Sequence, residues 1–385
     1  MQKEPIRVLH LLHSMNRGGA ETMLMNYYRK LDRNQVQFDF LLTYQGISDY
    51  EKEIMDMGGK VFHITPCTLQ SYWNYKKDIR EFLTVHPQYK IVHSHNSSKS
   101  AIPLKIAKEC GVPVRISHSH NMFLSNPYSP KECMRKLLRN PLKKVSTHNF
   151  ACSKEAGIWL YGEKYWNEGK VKILKNAIDL EKFAYVPEMR TKMRQQFGVE
   201  DKYVVGHVGR FAPQKNHTFL LDIFYEIKKQ KKNAVLLLVG DGELRPEIEE
   251  KVKKLDLWDS VIFTGVRDDV GKLMQMMDVF VMPSLFEGLG IVLIEAQTAG
   301  LPCFTSENVV AKEAKVTELL KFCSLEQQPA IWAKNILEKN ARYTRRSQVE
   351  QVAKKGYDSN DAAKKLQEFY IRAYREGKSK QKGGK

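Results

Sequence analysis

The sequence has little of what marks secreted or zinc-binding proteins. Its 385 residues include six cysteines, and no two of them have the C-x-x-C spacing of a zinc ligand pair or a redox motif. These cysteines are Cys67, Cys110, Cys133, Cys152, Cys303 and Cys323. Scattered thiols in a chain of this length are typical of the reducing cytosol. We therefore expect neither a zinc site nor a disulfide framework built on cysteine.

Long apolar runs are also absent. No stretch reaches the roughly eighteen uncharged apolar residues that a bilayer-spanning helix needs. The apolar run Ile6–Leu12 is short, contains His10 and leads into NRGGAE instead of a small-residue cleavage site, so secretion is not expected. The sequence predicts a cytoplasmic protein whose contact with a membrane is peripheral.

Missing motifs exclude two further function classes. The first predicted strand is not followed by G-x-G-x-x-G, which argues against an NAD-linked dehydrogenase. The formal net charge of +18 suggests an anionic partner, which could be nucleic acid, an acidic membrane surface or a phosphorylated substrate. The sequence contains no RNP-like aromatic pattern, zinc finger or clear helix-turn-helix signal. We therefore expect no nucleic-acid partner.

The chain is long enough for two domains, and its pattern repeats twice. Hydrophobic residues make up 42% of the sequence, which is enough for packed cores. Short aliphatic strands such as IRVLHLL, KIVHSH and YVVGHVGR alternate with helical periodicity, which is typical of βαβ units on a parallel sheet. This α/β pattern predicts two doubly wound domains at residues 1–177 and 178–360. We expect a helix at 361–376 to pack back towards the first domain and residues 377–385 to form a disordered basic tail.

Ligands of open parallel sheets bind at the loops that follow the strands. After the first strand, Gly18 and Gly19 in NRGGAE could let a phosphate approach backbone N–H groups, or could form a plain turn. In the second half, Arg210 and Lys215 flank the turn in GRFAPQKNH. Two cations beside a helix N-terminus could hold a diphosphate without a metal ion, although isolated pairs of this kind are usually solvated surface.

The stretch FEGLGIVLIE carries two carboxylates, Glu287 and Glu295, eight positions apart. We expect Glu287 in the loop after a buried strand and Glu295 about one turn inside the next helix. Glu295 could then accept hydrogen bonds from both hydroxyls of a ribose, while Glu287, beside Gly288 and Gly290, could bind a second polyol. Glycoside hydrolysis by two acids would need side chains that face each other across one bond, and both of these come from one short element. A helix-dipole acid plus a surface acid is the remaining structural alternative.

Several motifs, in order along the chain from Ile6 to Trp332, resemble the family 4 retaining glycosyltransferases. These motifs are Gly18-Gly19, the HSHN repeats, GRFAPQK, VGDGE, FTGVRDDV and MPSLFEGLGIVLIEAQTAGLP. Within that family, TSEN, FCSLEQQPAIWA and HSHN are most similar to bacterial exopolysaccharide and capsule enzymes. The resemblance implies the GT-B fold, in which two Rossmann-like domains face each other across a cleft. The first domain would bind the acceptor and the second a nucleotide-sugar, most often a UDP-sugar.

The resemblance also assigns roles to residues. Arg210 and Lys215 would grip the donor diphosphate, joined by Gly19, and would act in catalysis. Glu295 would bind the ribose, and Glu287 would hold the transferred sugar. The donor site would further include Gly18, Gly240, Asp241, Gly265, Val266, Gly288 and Leu289.

The histidines of the HSHN repeats form a further expected group. His118 matches the family position near the reacting anomeric carbon, with His120 a rival by two residues. His93 and His95 match a pair that faces the cleft. The family is described by front-face departure and attack through an ion-pair-like state, without a protein nucleophile. The sequence has no D-x-D motif, so no metal ion and no other cofactor are expected.

The basic segment Pro130–Lys144 interleaves cations with leucines in the acceptor-side half. Such a pattern suits an anionic membrane surface that carries a lipid-linked acceptor, although an ordinary solvated amphipathic helix has the same composition. Arg135, Lys136 and Arg139 are the expected membrane contacts. The sequence thus predicts a retaining, metal-independent glycosyltransferase that acts on a polyprenyl-linked or other glycan acceptor at the inner face of the membrane. The main enzymatic alternative is a nucleotide-sugar epimerase of the same architecture.

Overall fold

The computed structural model describes residues 4–120, 130–340 and 343–382, and these form two compact units. The first unit is Met1–Ile178 together with Asp358–Lys385, and the second is Asp179–Tyr357. The chain therefore leaves the first unit beside the predicted boundary at 177/178 and returns to it at Asp358. Ile178 and Asp358 lie side by side in a parallel β-bridge at this crossing.

The first unit contains a seven-stranded sheet whose pairings are all parallel. Its strands are β1 (Ile6–Leu12), β2 (Val36–Leu42), β3 (Val61–His63), β4 (Ile91–Ser94), β5 (Val114–Ser119), β6 (His148–Ala151) and β7 (Lys172–Ile173). Their order is β3-β2-β1-β4-β5-β6-β7. The order reverses between β1 and β4, where His10 lies beside His93 in register.

The second unit contains a six-stranded sheet, also with parallel pairings throughout. Its strands are β8 (Tyr203–Val208), β9 (Ala234–Val239), β10 (Val261–Phe263), β11 (Val279–Met282), β12 (Cys303–Ser306) and β13 (Leu320–Cys323). Their order is β10-β9-β8-β11-β12-β13, which reverses between β8 and β11. The two parallel sheets with crossover helices confirm the predicted pair of Rossmann-like domains.

Helices connect the strands in both units. The first unit has α1 (Gly19–Tyr28), α2 (Glu51–Asp56), α3 (Tyr72–Val85), α4 (Ala101–Glu109), α5 (Pro130–Val145), α6 (Lys154–Tyr161) and α7 (Glu163–Asn167). The second has α8 (Pro187–Phe197), α9 (His217–Gln230), α10 (Arg245–Lys254), α11 (Val270–Met276), α12 (Ile291–Thr298), α13 (Pro329–Asn340) and α14 (Val349–Lys354). The last helix, α15 (Ser359–Lys382), belongs to the first unit. Among the described residues, no helix combines the length and the apolar composition that crossing a bilayer requires.

Helix α15 packs on the sheet of the first unit. Its buried face carries Leu366, Phe369, Tyr370 and Ala373, which confirms the spacing of three and four seen in the sequence. The helix continues to Lys382, so the prediction of disorder was wrong for residues 377–382, and residues 383–385 lie outside the described part. Gly377 sits close to Pro113 and Val114, and the surrounding Arg, Glu, Lys and Gln residues are good helix formers.

Apolar clusters lie on both sides of the first sheet. One cluster joins strand residues such as Phe38 and Phe40 to α1 and α15. The other joins Val92 to residues of α3, α4 and α6. In the second unit, Trp332 of α13 and Phe224 of α9 pack against strand residues of the sheet. Because the sheets are covered by helices, ligands reach them at the ends of the strands.

Candidate active site

The loops that follow β8 and β11 meet at the reversal of the second sheet. Open α/β sheets bind their ligands beyond the carboxyl ends of the strands at such a reversal. The Leu285 N–H donates to the Gln214 carbonyl at 2.8 Å, and Gln214 Nε2 donates to the Phe286 carbonyl at 2.9 Å. These hydrogen bonds hold the predicted diphosphate loop and the loop of Glu287 against each other.

An ion pair between Lys215 and Glu287 links the same two loops. The two side chains are only 16% and 8% exposed, so water screens the pair weakly. Ser284 Oγ donates a further hydrogen bond of 3.2 Å to Oε1 of Glu287. The sequence predicted both residues for the donor site but not their pairing. Because Lys215 neutralises a shielded carboxylate, its removal would leave a buried charge uncompensated.

Glu295 lies one turn inside α12, as predicted. Gly290 precedes the helix with a φ of 68°, a left-handed conformation that glycine adopts without strain. Burial of the Glu295 carboxyl group raises its pKa from 4.5 to about 7. Within the described ranges, no side chain forms an ion pair or hydrogen bond with this carboxyl group, which keeps partial contact with solvent. Glu295 is therefore available to accept hydrogen bonds from a ligand.

Arg210 is exposed at the end of β8, where the strand enters the loop. No ion pair joins Arg210 to another described residue. Its neighbour Gly209 touches Gly240 of the next loop so closely that a Cβ at Gly240 would lie 2.1 Å from the Gly209 carbonyl oxygen. Gly240 also has a φ of 136°, which side-chain-bearing residues rarely adopt. The close approach of the two backbones explains why position 240, which was predicted to belong to the donor site, is a glycine.

The loops after β9 and β10 lie side by side. The Gly240 N–H donates to the Gly265 carbonyl at 2.9 Å. Asp241 accepts from the Gly242 N–H at 2.7 Å and pairs with Arg245 at 3.0 Å, so its carboxylate is already engaged. Val266 is 66% exposed and offers an apolar surface next to these loops.

The two residues after Glu287, Gly288 and Leu289, have no side chain that could contact a ligand. The Leu289 side chain is only 2% exposed, so it packs inside the second unit. The Gly288 carbonyl accepts from the Ala311 N–H at 3.2 Å, and the Glu287 N–H donates to the Val309 carbonyl at 3.1 Å. The buried Leu289 side chain cannot contact a ligand, so a role of Gly288 and Leu289 in sugar binding, which stays a prediction, would fall to main-chain groups other than the two that form these hydrogen bonds.

In the first unit, Gly18 and Gly19 form the exposed N-terminus of α1. A Cβ at Gly18 would lie 2.3 Å from Oε2 of Glu21, so this carboxyl group covers the turn. An ionised acid in the first turn competes with a phosphate for the positive end of the helix dipole. Burial raises the pKa of Glu21, which favours its neutral form and reduces this competition. The sequence analysis did not identify this role of Glu21.

The predicted histidines meet in the first unit at the ends of β4 and β5. His118 is fully buried between His93 and His120, with ring centroids 5.4 and 3.9 Å away. Burial lowers the pKa of His118 well below 6.5, so its ring is neutral. His95 and His120 are 8% and 7% exposed. The assignment of His118 or His120 to the reacting centre stays a prediction, and direct contact of a substrate with His118 requires the structure around it to open.

One further histidine was missed by the sequence analysis. His10 of β1 is fully buried, and its Nδ1 lies 3.0 Å from Nε2 of His95. A polar residue in the middle of the apolar strand IRVLHLL was the signal that could have identified it. Tyr370 of α15 is buried beside these histidines, and its hydroxyl lies 2.7 Å from Nδ1 of His93.

The basic segment forms α5, which packs through Leu142 and Val145 on the first unit. Met134 and Leu137 are 49% and 76% exposed, so apolar side chains project into solvent beside the cations. Among the predicted membrane contacts, Lys136 is exposed, Arg135 and Arg139 are partly buried, and the Arg139 guanidinium stacks 4.5 Å from the Trp159 ring. The side chains of residues 130–133 lie outside the described part.

Comparisons with known proteins agree with the two α/β units of the fold. The model of the family "Glycosyltransferase Family 4" matches residues 17–182, and the model "Glycosyl transferases group 1" matches residues 189–336. Among solved structures, the crystal structure of HepE from Anabaena in complex with UDP is similar to the structure of this chain. The TM-score is 0.75 at 19% identity, with 95% of this chain and 100% of the other covered. At that identity the likeness concerns the fold, which is the GT-B fold.

Two curated relatives extend over most of the chain. The putative glycosyltransferase EpsF of Bacillus subtilis is 36% identical over 374 residues, which are 96% of this chain and 97% of the relative. The UDP-Gal:alpha-D-GlcNAc-diphosphoundecaprenol alpha-1,3-galactosyltransferase of Escherichia coli is 26% identical over 312 residues, covering 78% of this chain and 79% of the relative. Identity with EpsF along nearly the whole chain, together with the family models, shows that this chain is a glycosyltransferase and belongs to family 4.

Proposed function

We propose that the chain transfers a sugar from a UDP-sugar to a polyprenyl-linked glycan, with retention of configuration, in the synthesis of a cell-surface polysaccharide. The observation that carries the donor assignment is the set of cations and acids at the reversal of the second sheet. Arg210 and Lys215 follow β8, Glu287 follows β11, and Glu295 lies in α12. The HepE structure that resembles this fold holds UDP, and another HepE structure holds UDP-glucose.

Each of these side chains has a role that its surroundings support. The unpartnered carboxyl group of Glu295 would accept hydrogen bonds from the ribose hydroxyls. The exposed guanidinium of Arg210 would bind diphosphate oxygens through its fork of N–H donors. Lys215 would turn from Glu287 towards the diphosphate, or bind both at once. Glu287 would then accept hydrogen bonds from hydroxyls of the transferred sugar.

Catalysis follows from charge development on the leaving group. As the bond between the anomeric carbon and the phosphate oxygen breaks, negative charge grows on the diphosphate. Arg210 and Lys215 stabilise that charge more in the transition state than in the bound donor, which raises the rate. The acceptor oxygen attacks from the same face, and its proton passes to the departing phosphate oxygen. The side chains of Arg210 and Lys215 supply the positive charge that Mg²⁺ or Mn²⁺ provides in other transferases. We therefore propose that the reaction needs neither metal ion.

The proposed acceptor and location depend on the first unit. The Escherichia coli relative acts, by its name, on a diphosphoundecaprenol-linked sugar. The motifs TSEN, FCSLEQQPAIWA and HSHN resemble those of exopolysaccharide and capsule enzymes. Helix α5 combines cations with the exposed Met134 and Leu137, which suits the surface of an anionic membrane. We therefore place the enzyme at the cytoplasmic face of the membrane, with α5 as the contact.

A donor and acceptor screen tests this proposal. The full chain is incubated with single nucleotide-sugars, with and without polyprenyl-diphosphate-linked glycans, and UDP release and the lipid-linked product are measured. We expect release that depends on the acceptor and a product whose anomeric configuration, determined by NMR, matches that of the donor. The Arg210→Ala variant is the low-activity control. An isomerised nucleotide-sugar formed without acceptor would instead support the epimerase, and an inverted product would contradict the retaining mechanism.

A further inference from the structure

Five histidine side chains lie together in the core of the first unit. They come from neighbouring strands or from the residues directly after them, and each is at most 8% exposed. These residues are His10, His93, His95, His118 and His120. Five adjoining imidazoles are an unusual content for a core that otherwise packs Phe and Tyr rings, because every ring nitrogen removed from water needs a partner.

Three of the histidines are arranged around the reversal between β1 and β4. His10 lies beside His93 in the strand register, and the two ring centroids are 5.3 Å apart. The His95 ring is 4.3 Å from that of His93 and 5.3 Å from that of His10. One ring nitrogen from each of the three lies within 4.8 Å of the others. Nε2 of His10 and Nε2 of His93 have no hydrogen-bond partner among the residues that the structure describes.

The outer nitrogens of this triad are already oriented. Nδ1 of His93 lies 2.7 Å from the Tyr370 hydroxyl, and Nδ1 of His95 lies 2.8 Å from Nε2 of His120. Histidines that bind metal ions usually hold their second ring nitrogen in such a hydrogen bond, which fixes the tautomer and the ring. Nε2 of His95 is thereby directed at His10, 3.0 Å from its Nδ1, and Nε2 of His93 is left without a hydrogen bond among the described residues.

The chemistry of the triad selects a class of ion. Imidazole binds a metal ion through a ring nitrogen that carries no proton. Three imidazole nitrogens without a carboxylate suit Zn²⁺, Co²⁺, Ni²⁺ or Cu²⁺ rather than Mg²⁺ or Mn²⁺. A tetrahedral Zn²⁺ with bonds of about 2.0–2.1 Å would lie between the three nitrogens and replace the direct contact of 3.0 Å between His10 and His95.

A second triad, His95, His118 and His120, also has ligand atoms within 4.8 Å of one another. In this group, neither ring nitrogen of His118 has a hydrogen-bond partner in the described part of the chain, so no described contact orients that ring. Its third member, His95, is shared with the first triad. The first triad is the better-organised site because Tyr370 and His120 already hold two of its rings.

We propose that His10, His93 and His95 bind one transition-metal ion, with Zn²⁺ as the probe of choice, in the core of the first unit. The ion joins β1 and β4, and through Tyr370 it joins them to α15. It is distinct from any cation at the donor diphosphate, because its ligands are nitrogen atoms of the first unit. The cysteine spacing and the missing D-x-D motif gave no sign of it, since these histidines meet only in the folded sheet. This inference does not depend on the donor or acceptor proposed above.

Metal content of the untagged full-length chain tests the site. The protein is equilibrated with Zn²⁺, dialysed, and analysed by mass spectrometry of the metal, and its Co²⁺ form is examined for the visible absorption of a tetrahedral site. We expect one tightly bound ion per chain and its loss in His10→Gln and His93→Gln. The His118→Gln variant is the matched control, a buried histidine of the neighbouring triad, and it should keep the ion.

If His10→Gln or His93→Gln fails to fold, a milder variant still tests the site. Tyr370→Phe removes only the hydroxyl that orients His93, and we expect it to keep the stoichiometry and bind Zn²⁺ about 10-fold more weakly. Unchanged affinity in Tyr370→Phe would refute the arrangement. Failure of the wild-type chain to retain zinc would overturn the proposal. So would loss of the ion in His118→Gln with retention in a folded His93→Gln variant.

Discussion

Replacement of Glu295 by Gln tests the ribose contact most directly, because the structure assigns this carboxyl group both a position and an unusual pKa. Glu295 lies in α12 without a partner among the described side chains, and burial raises its pKa to about 7. Loss of a charge-assisted hydrogen bond costs about 1.5–3 kcal/mol, which corresponds to a rise of roughly 10- to 150-fold in the donor KM. We expect turnover to change much less, since this contact is made equally in the bound donor and in the transition state.

The raised pKa adds a pH dependence that the variant should lack. With a pKa of about 7, about one tenth of Glu295 is ionised at pH 6 and about nine tenths at pH 8. The ionised form is the better acceptor for two hydroxyls, so the wild-type donor KM should fall by up to about 10-fold between these pH values. The Glu295→Gln variant should show a nearly flat profile in this range.

Stability provides the folding control, and its sign follows from the same pKa. The folded pKa lies above the ordinary value of 4.5, so the folded state binds the proton more tightly than the unfolded chain. Stability from this group is fully present below about pH 4.5 and is lost as the pH rises through 7. At pH 8, Glu295→Gln should therefore melt no lower than the wild type.

Initial rates at varied donor concentration from pH 6 to 8, together with thermal melts, measure all three effects. Glu250→Gln is a matched control, because Glu250 is an exposed acid of α10 that pairs with Lys254 at 2.6 Å. That variant should leave the donor KM unchanged. A folded Glu295→Gln variant with a wild-type donor KM at pH 8 would refute the ribose assignment. A wild-type KM that does not change between pH 6 and 8 would refute the link to the raised pKa.

Three further outcomes are expected. Arg210→Ala should lower kcat by about 100-fold or more without lowering the melting temperature. Lys215→Ala should lower both kcat and the melting temperature, because Lys215 also neutralises the nearly buried carboxylate of Glu287. Added Mg²⁺ or Mn²⁺ should leave the initial rate unchanged, and a strict need for Mn²⁺ would contradict catalysis by these two cations. Neutralisation of Arg135, Lys136 and Arg139 together should weaken binding to anionic vesicles by on the order of 100-fold in a sedimentation assay, since each cation contributes about 1 kcal/mol near such a surface.

The vesicle experiment needs a control for net charge. Neutralising Lys251, Lys253 and Lys254 of α10 removes the same charge from the second unit. That variant should sediment with anionic vesicles nearly as the wild type does. If both triple variants bind equally, α5 is not the membrane contact. Wild-type binding should weaken at raised salt, because the attraction is screened.

Local patterns determined much of the fold. The short aliphatic strands and the helical spacing between them predicted parallel sheets, and the predicted strand IRVLHLL has the bounds of β1, Ile6–Leu12. Such predictions succeed because hydrophobic periodicity is a property of neighbouring residues. The continuation of α15 to Lys382 was missed because composition alone suggested a solvated tail.

The sequence also located the loops of the proposed donor site, because a ligand loop can be recognised from the strand before it and the helix after it. Arg210, Lys215, Glu287 and Glu295 were all placed in this way. Their neighbours in space could not be found by the same reasoning. Lys215 and Glu287 are separated by 72 positions, and only the adjacency of β8 and β11 brings them into an ion pair.

The tertiary structure alone decided the arrangement of the histidines. The sequence showed two HSHN repeats, and each histidine considered singly was as consistent with a core position as with a site. The order of β1, β4 and β5 places His10 beside His93, and α15 brings the Tyr370 hydroxyl to it from 277 positions away. Sequence spacing determines which face of a strand a side chain occupies, whereas the topology of the sheet determines which side chains share that face.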